Sequence, residues 1–386
     1  MKKHNFKIKH FINYALVGTL LIVGLVMFLV GGLRPSTAQL FTQIGYSIIL
    51  AVSLNLVVGF LGELSLGHAG FMCVGAYIGG YVAKLIIESG LTLKLPVLIV
   101  SMIIGGLCAA VFGFIIGLPS LRLKGDYLAI VTLAFGEIVR NVFKNQKVFG
   151  GAAGLTTRSL IYDTRNAPLL FIVVLVFAIL MLALVQNLVR SKHGRAITAI
   201  RDNEIAAKAM GINVTFYKLF VFIVAAFFAG CAGVIYAHTT TPVLYSFFSY
   251  NYSIEILVMV VLGGMGSITG SIVSAAFITT INFVLQSQLS GDLASIKNVV
   301  YAIILIVVVI FGNAPSLKHF RERYSISAFI ERFRKHDAAH RRDDEAKWAR
   351  VPSKIKMDAL LSTDLAPDSD ASIHGDISTN DKGGSK

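Results

Sequence analysis

The sequence predicts an all-α polytopic membrane protein with about ten transmembrane helices. Hydrophobic residues make up 55% of the 386 residues and charged residues only 15%, whereas charged residues average about 25% in soluble domains. Several windows contain no Asp, Glu, Lys or Arg over at least the ~20 residues that a helix needs to cross a bilayer. These windows are apolar throughout, unlike the strands of a membrane barrel, which alternate apolar and polar residues.

The first half of the chain begins with a basic stretch, residues 1–10, which is predicted to be a cytoplasmic N-terminus. Spans are then expected at residues 11–33, 40–60, 64–83, 96–117 and 126–143. The first of them has no cleavage site of the signal-peptide type, so we expect it to be retained. The third is rich in glycine and alanine, which let helices approach closely in lipid, and is therefore expected inside the bundle.

The second half is expected to cross the membrane at 166–189, at 216–237, in two segments within 256–291, and at 298–317. The charge-free stretch 256–291 is too long for one span, and glycines interrupt it. The membrane domain therefore covers residues 11–317. Within it, Glu137 and Arg140 lie three residues apart on one helical face and are expected to pair with each other.

The C-terminal tail divides by charge into two predicted segments. Residues 318–356 are basic with interleaved aromatic residues, which indicates an amphipathic juxtamembrane segment on the anionic inner leaflet. Residues 357–386 are acidic and rich in Ser, Asp and Gly, which is typical of disorder.

The net charge of +14 is best explained by loop lysines and arginines that set membrane orientation, and not by nucleic-acid binding. The resulting orientation places both termini and residues 190–215 in the cytoplasm. The loop 144–167, with four basic residues, is the one part that fits poorly on the outside. The cysteines show no CxxC spacing, and the chain has no P-loop, HExxH pair or nucleophile elbow. We therefore expect no catalytic site, metal or cofactor on this chain.

The longest polar interruption of the apolar body is residues 190–215, called here the polar segment. Apolar residues recur in it at helical spacing with charges among them, which predicts one short amphipathic helix. That helix has nothing of its own to pack on, so it is expected to lie on the membrane surface or to dock into a partner. A solvated loop helix is the alternative.

Two stretches rich in glycine interrupt apolar runs in the two halves of the chain. They are the first glycine break, residues 59–70, and the second glycine break, residues 263–270. Non-helical backbone is tolerated in a membrane only where protein buries it or where it lines a cavity. A matched pair of breaks indicates a transport pathway between two structural repeats, although ordinary glycine packing is the alternative. The candidate pathway residues are Gly62, Glu63, Ser65, Gly67, His68, Gly263, Gly264 and Gly266.

Four stretches of the chain together resemble the branched-chain amino-acid ABC transporter permease family, and its M-type subunit in particular. They are GYSIILAVSLNLVVGFLGELSLGHAGFMCVGAY, GDYLAIVTLAFGEIVRNV, HGRAITAIRDNEIAAKAMGINV and VMVVLGGMGSITGSIV. The resemblance covers about residues 40–312. It implies an ABC importer of the inner membrane, in which two permease subunits form the pathway. Two cytoplasmic ATPases would bind ATP, and an extracytoplasmic binding protein would deliver a hydrophobic amino acid.

The resemblance also implies a role for the polar segment, which takes the place of the family's cytoplasmic coupling helix. The residues expected to touch the ATPase are Arg195, Arg201, Asp202, Glu204, Ala206, Ala207 and Gly211. ABC importers carry an EAA-xxx-G signature there. Ala206, Ala207 and Gly211 fit its spacing, but Ile205 occupies the Glu position and Glu204 lies one residue earlier.

Other functions stay open at this point. Urea and short-amide importers resemble the same family, so the substrate is not fixed. A proton-coupled secondary transporter that uses Glu137 or Glu63 is an alternative from another class, and a membrane scaffold that displays the charged tail is a third. The second permease subunit is expected to be a paralogue, although a second copy of this chain would also serve.

Overall fold

The computed structural model describes residues 11–29, 35–90, 93–120, 123, 125–157, 167–288, 303 and 306. The predicted N-terminal stretch 1–10 and the tail 318–386 lie outside these residues. So does the predicted span 298–317, apart from Ile303 and Ile306. The helices below all belong to one compact unit, residues 1–312, and a second unit covers residues 313–386.

The first half of the described chain contains six helices. They are α1 (Phe11–Leu29), α2 (Pro35–Asn55), α3 (His68–Val74), α4 (Gly80–Glu88), α5 (Lys94–Ser120) and α6 (Asp126–Asn145). A π-helical stretch, Leu56–Leu61, continues α2, and another, Gly75–Gly79, joins α3 to α4 into one helix over residues 68–88. The third predicted span is therefore displaced, because residues 62–67 are not helical.

The second half contributes α7 (Ala167–Arg190), α8 (Lys192–Asp202), α9 (Glu204–Ala209), α10 (Val214–Thr239), α11 (Tyr250–Gly263) and α12 (Ile268–Gln288). Short 3-10 turns lie at Lys147–Phe149, Gly151–Ala153 and Tyr245–Phe248. The two segments predicted within 256–291 are confirmed as α11 and α12, with the non-helical residues 264–267 between them.

Six helices within the described residues are long and apolar enough to cross a membrane. They are Ser36–Leu61, His68–Glu88, Lys94–Pro119, Leu170–Arg190, Val214–Thr239 and Ile268–Gln286. Shorter apolar helices cover Asn13–Gly24 and Tyr250–Gly263. Helix α6 coincides with the predicted span 126–143 but is not among the six, because its charged residues lower its hydropathy. The protein is an all-α, multi-pass membrane protein, and the count of ten spans stays a prediction.

Helix α10 forms the centre of the bundle and packs along α5, α2 and α3. Small residues make this close packing possible, since a Cβ added to Gly230 would lie 2.5 Å from the Ala109 Cβ. A Cβ on Gly75 would overlap the backbone of Gly230 in the same way. Residues 69–77 are buried. The prediction that the glycine-rich third span lies inside the bundle is therefore confirmed.

The polar segment differs from the single amphipathic helix that its spacing predicts. It forms two helices, α8 and α9, which are separated at Asn203. The backbone of Asn203 is extended, with φ −159° and ψ 105°, and its Oδ1 accepts a hydrogen bond of 3.0 Å from the Ala206 amide. Asn203 therefore ends one helix and caps the N-terminus of the next, as asparagine favours.

At the end of α10 that lies away from the polar segment, backbone hydrogen bonds join the loop after α6 to the loop after α10. The Leu155 amide donates to the Val243 carbonyl at 3.1 Å, and the Val243 amide donates back to the Leu155 carbonyl at 2.9 Å. Aromatic rings fill the space beneath this bridge. Tyr236 stacks on Phe247 with ring centroids 4.3 Å apart. The polar segment and the loops after α6 and α10 thus lie at opposite ends of the bundle.

Candidate functional site

Helix α8 is attached to the membrane body along one face. Ile197 and Ile200 are buried in the hydrophobic core, whereas Arg195 is exposed. The Ser191 hydroxyl accepts a hydrogen bond of 3.3 Å from the Gly194 amide and caps the start of the helix. This amphipathic arrangement agrees with the spacing of apolar residues in the sequence.

Helix α9 presents apolar side chains to the outside. Ile205 is 78% exposed, and Met210, the residue after α9, is 81% exposed. Both belong to the apolar residues whose spacing predicts an amphipathic helix. Ala206 is also exposed, whereas Ala207 is buried within this chain. Ala206 is therefore the one of the two signature alanines that is accessible to another protein, and the exposed apolar residues beside it are unusual for a solvated loop helix.

Gly211 ends α9 in the left-handed conformation, with φ +79°. The Ile212 amide donates to the Ala207 carbonyl at 3.1 Å, and the Gly211 amide donates to the Lys208 carbonyl at 3.0 Å. This pair of hydrogen bonds is a Schellman motif, which favours glycine at this position. A Cβ added to Gly211 would meet no atom within 4 Å, so the residue lies at an open surface.

Arg201 connects the polar segment to the first glycine break. Its Nη1 donates a hydrogen bond of 3.0 Å to the Gly59 carbonyl, and its Nη2 binds the Asp202 carboxylate at 3.0 Å. Gly62 has φ +81°, and a Cβ added there would lie 2.6 Å from the Arg201 Cγ. Glycine is therefore required at Gly62 both for its backbone conformation and for the approach of Arg201.

A buried ionic network forms the second connection. Lys218 of α10, with a side chain that is 4% exposed, forms an ion pair with Glu63 of the first glycine break. Its Nζ also lies 3.2 Å from Oε2 of Glu204, whose Oε1 binds the Lys208 Nζ at 2.8 Å. Two carboxylates and two ammonium groups thus balance one another, and the buried charge of Lys218 is paired, as a buried charge requires. The Glu204 side chain, 20% exposed, therefore points toward Lys218, and its predicted contact with an ATPase stays a prediction.

The sequence analysis did not single out Lys218. The sequence nevertheless contains a feature that could have identified it, because Lys218 is the one charged residue in the predicted span 216–237. Ionisable residues in such segments are functional candidates by default. Glu63, in contrast, was among the predicted pathway residues.

The two glycine breaks are in contact with each other. Asn55 Oδ1 accepts a hydrogen bond of 2.9 Å from the Gly266 amide, and its Nδ2 donates to the Ser271 hydroxyl at 3.0 Å. A Cβ added to Gly59 would overlap the Gly266 amide nitrogen. The two halves of the chain therefore meet at the breaks, and Asn55 is a second residue that the sequence analysis missed.

The end of the first glycine break, residues 67–70, is buried in protein. Ser53 Oγ and His68 Nε2 lie 2.8 Å apart, and both residues are buried. The Leu66 amide donates to the Thr132 hydroxyl at 3.0 Å, while a Cβ on Gly67 would overlap the Thr132 carbonyl. The Ser65 hydroxyl is buried without a hydrogen-bond partner in the described part of the chain.

The second glycine break combines close packing with unusual backbone. A Cβ added to Gly263 would overlap the carbonyl of Gly270, so α11 and α12 approach there without side chains between them. Gly264 and Gly266 have φ +89° and +80°. All eight predicted pathway residues therefore lie in the two breaks that the structure brings together, although His68 packs in the core.

Glu137 and Arg140 form the ion pair that their spacing predicts. Arg140 Nε donates to Glu137 Oε2 at 2.8 Å, and Glu137 Oε1 accepts from the Tyr250 amide at 3.1 Å at the start of α11.

Across the described residues, no group of three His, Cys, Asp or Glu side chains is arranged to hold a metal ion. Cys73, Cys108 and Cys231 are free thiols.

Comparison with known proteins identifies relatives of this chain. The permease protein LivM of the high-affinity branched-chain amino acid transport system is 36% identical over 259 residues in Salmonella typhimurium. The same protein of Escherichia coli is 37% identical over 259 residues. Each match covers 60% of this chain and 59% of the relative, so the aligned part spans less than two thirds of either relative.

A third relative has lower sequence identity to this chain. A probable branched-chain amino acid transport permease protein LivM of Methanocaldococcus jannaschii is 27% identical over 256 residues, which is 58% of this chain and 74% of the relative. No solved structure matches this chain significantly. Residues 36–309, which include both glycine breaks and the polar segment, match the family described as "Branched-chain amino acid transport system / permease component". The chain belongs to this family of membrane permease components.

Proposed function

We propose that this chain is the membrane-spanning permease subunit of an ATP-driven ABC importer for branched-chain, hydrophobic amino acids. The observation that carries the proposal is the structure of the polar segment. It exposes Ile205 and Met210 on one side and is bonded through Arg201 to the first glycine break on the other. A surface for a partner and a contact with the candidate pathway thus occur in one element.

The partner proposed for the polar segment is a cytoplasmic ATPase. Highly exposed apolar side chains at a short helix, next to an open glycine, suit a cleft in another protein. Two ATPase subunits would bind ATP, so this chain needs no cofactor and performs no catalysis of its own. An extracytoplasmic binding protein and a second permease subunit, a paralogue or another copy of this chain, would complete the assembly in the inner membrane.

The placement of the polar segment and the Leu155–Val243 bridge at opposite ends of the bundle supports a proposed orientation. In this proposal the polar segment lies in the cytoplasm with both termini, and the bridge faces the outside. The contact between the two glycine breaks is then near the cytoplasmic end of the bundle. Movement of the polar segment would change that contact. A rigid-body motion of this kind could open the pathway to one side of the membrane at a time, as in alternating access.

The substrate proposal rests on the relatives, whose names assign them to branched-chain amino acid transport. A proton-coupled mechanism has less support. The two carboxylates considered for it are both ion-paired, Glu137 with Arg140 and Glu63 with Lys218. In the importer proposal, these two carboxylates form ion pairs within the chain and do not carry protons.

Uptake of radiolabelled leucine by cells that lack other leucine importers tests the proposal. We expect that excess isoleucine or valine competes and that urea does not. Depletion of ATP should stop uptake at once, while a protonophore should act only as ATP falls. Immediate loss of uptake with the protonophore at constant ATP would refute the ATP-driven mechanism, and competition by urea alone would refute the substrate.

A further inference from the structure

Lys218 is a buried cation that the family resemblance does not explain. Its side chain is 4% exposed and lies in the first turns of α10, among apolar neighbours. Burial of an ammonium group costs free energy, and hydrophobic residues can often replace a buried ion pair without loss of stability. Stability alone is therefore a weak explanation for a lysine at this position.

The carboxylates that bind Lys218 belong to different parts of the chain. Glu63 follows Gly62 in the first glycine break, while Glu204 is the first residue of α9 in the polar segment. The N-terminus of a helix favours a negative charge, which helps to hold Glu204 there. Lys218 therefore joins the polar segment to the first glycine break through two ion pairs.

Arg201 supplies a second link on the other side of Gly62. It binds the carbonyl of Gly59, three residues before Gly62, whereas Lys218 binds the residue after it. Gly62 has φ +81° and is the position in this stretch where glycine allows a sharp change of backbone direction. The first glycine break is thus held on both sides of Gly62, by Arg201 before it and by Lys218 after it.

We propose that Lys218 is a positioning residue that transmits movement of the polar segment to the first glycine break. If an ATPase displaces α9, Glu204 moves with it, and Lys218 draws Glu63 and the backbone after Gly62 along. This inference rests on the proposed function. Without Lys218, the ATPase should still bind and hydrolyse ATP, but the pathway should no longer respond.

The test uses the full chain purified with the partners that accompany it, reconstituted in liposomes. ATP hydrolysis and uptake of radiolabelled leucine are measured on the same sample. For Lys218→Met, we expect the ratio of leucine imported to ATP hydrolysed to fall at least tenfold, with the ATPase retained. Lys84→Met is the control, because Lys84 pairs with Glu88 within α4, outside both the polar segment and the two glycine breaks. Its ratio should stay within twofold of wild type.

A double variant separates transmission from stability. Lys218→Met leaves Glu63 buried without its cation, whereas Glu63→Gln with Lys218→Met removes both charges of that pair. If Lys218 served only to stabilise the fold, the double variant would recover wild-type import. The proposal requires that it assembles and retains the ATPase but still imports at least tenfold less leucine per ATP.

Either of two results would overturn the inference. They are a wild-type ratio in Lys218→Met, or recovery of that ratio in the double variant. Should the single variant fail to assemble, the double variant carries the test. Failure of the proposed function is a separate outcome, since wild type itself would then show no bound ATPase or no ATP-dependent leucine uptake.

Discussion

Arg201 of the polar segment donates a hydrogen bond from Nη1 to the backbone carbonyl of Gly59, 142 residues earlier in the chain, at 3.0 Å. Gly59 in turn lies against Gly266 of the second glycine break. One guanidinium group therefore connects the polar segment to the point where the two halves of the membrane domain meet.

The Arg201 contact predicts that Arg201→Met lowers leucine uptake about tenfold. Methionine keeps the apolar stem but removes a charged hydrogen bond, which contributes roughly 1.5 kcal/mol when partly exposed. Uptake by cells with equal amounts of membrane-inserted protein measures the effect. Arg201→Lys keeps a cationic donor and should recover part of the uptake. Unchanged uptake in Arg201→Met would show that this contact is not used.

The contact of the two breaks predicts that Gly59→Ala destabilises the protein. The added methyl group would overlap both the Gly266 amide and the Asn55 side chain, and overpacking of this kind costs about 1–3 kcal/mol. The melting temperature in detergent, followed by size-exclusion chromatography after heating, measures the change. Gly18→Ala is the matched control, because a Cβ there meets no atom within 4 Å. Equal melting temperatures for the two variants would argue against the contact.

The exposed apolar residues of α9 predict a docking surface. Ile205→Ala combined with Met210→Ala should reduce retention of the ATPase about tenfold, since a few buried apolar anchors carry most of an interface's energy. The melting temperature should hardly change, because both side chains are exposed. Val148→Ala, at a residue that is 60% exposed at the other end of the bundle, is the control. Full ATPase retention in the double variant would place docking elsewhere.

The composition of the tail predicts that residues 357–386 are dispensable for transport. They are acidic and poor in large apolar residues, so they are not expected to pack against the membrane domain. A chain truncated before residue 357 should import leucine within about twofold of wild type, a tolerance expected of an unpacked terminus. Complete loss of function would favour a scaffold that acts through its tail.

Much of the architecture could be predicted because membrane helices have strong local signals. The charge-free windows of the sequence correctly predicted helices at α2, α5, α7, α10 and α12. The glycine-rich third span was also correctly expected in the interior of the bundle. The Glu137–Arg140 pair also followed from spacing along a single helix. These features depend on residues close together in sequence, for which periodicity and composition are informative.

What could not be predicted depends on contacts between distant residues. Apolar spacing favoured one helix in the polar segment, and the cap formed by Asn203 divides it. The inward position of Glu204 follows from Lys218, a residue of the next helix. In the sequence, Asn55 is a polar residue in an apolar window, and its importance follows only from its hydrogen bond with Gly266 of the other half of the chain. No local pattern specifies which partner such a polar side chain meets.

The central claim is that the polar segment docks a cytoplasmic ATPase, and co-purification with the tagged chain in mild detergent tests it most directly. The comparison is between wild type, Gly211→Asp and Gly211→Asn. Asp and Asn are the residues after glycine that best tolerate positive φ, and a Cβ at Gly211 meets no neighbour, so both variants should fold. They differ only in a negative charge at the exposed surface beside Met210.

We predict that an ATPase remains bound to wild type and to Gly211→Asn, and that it is lost from Gly211→Asp together with ATP-driven uptake of leucine. Equal retention by the Asp and Asn variants would contradict docking at this surface. Absence of any ATPase from the wild-type chain, under every mild extraction condition, would contradict the importer itself.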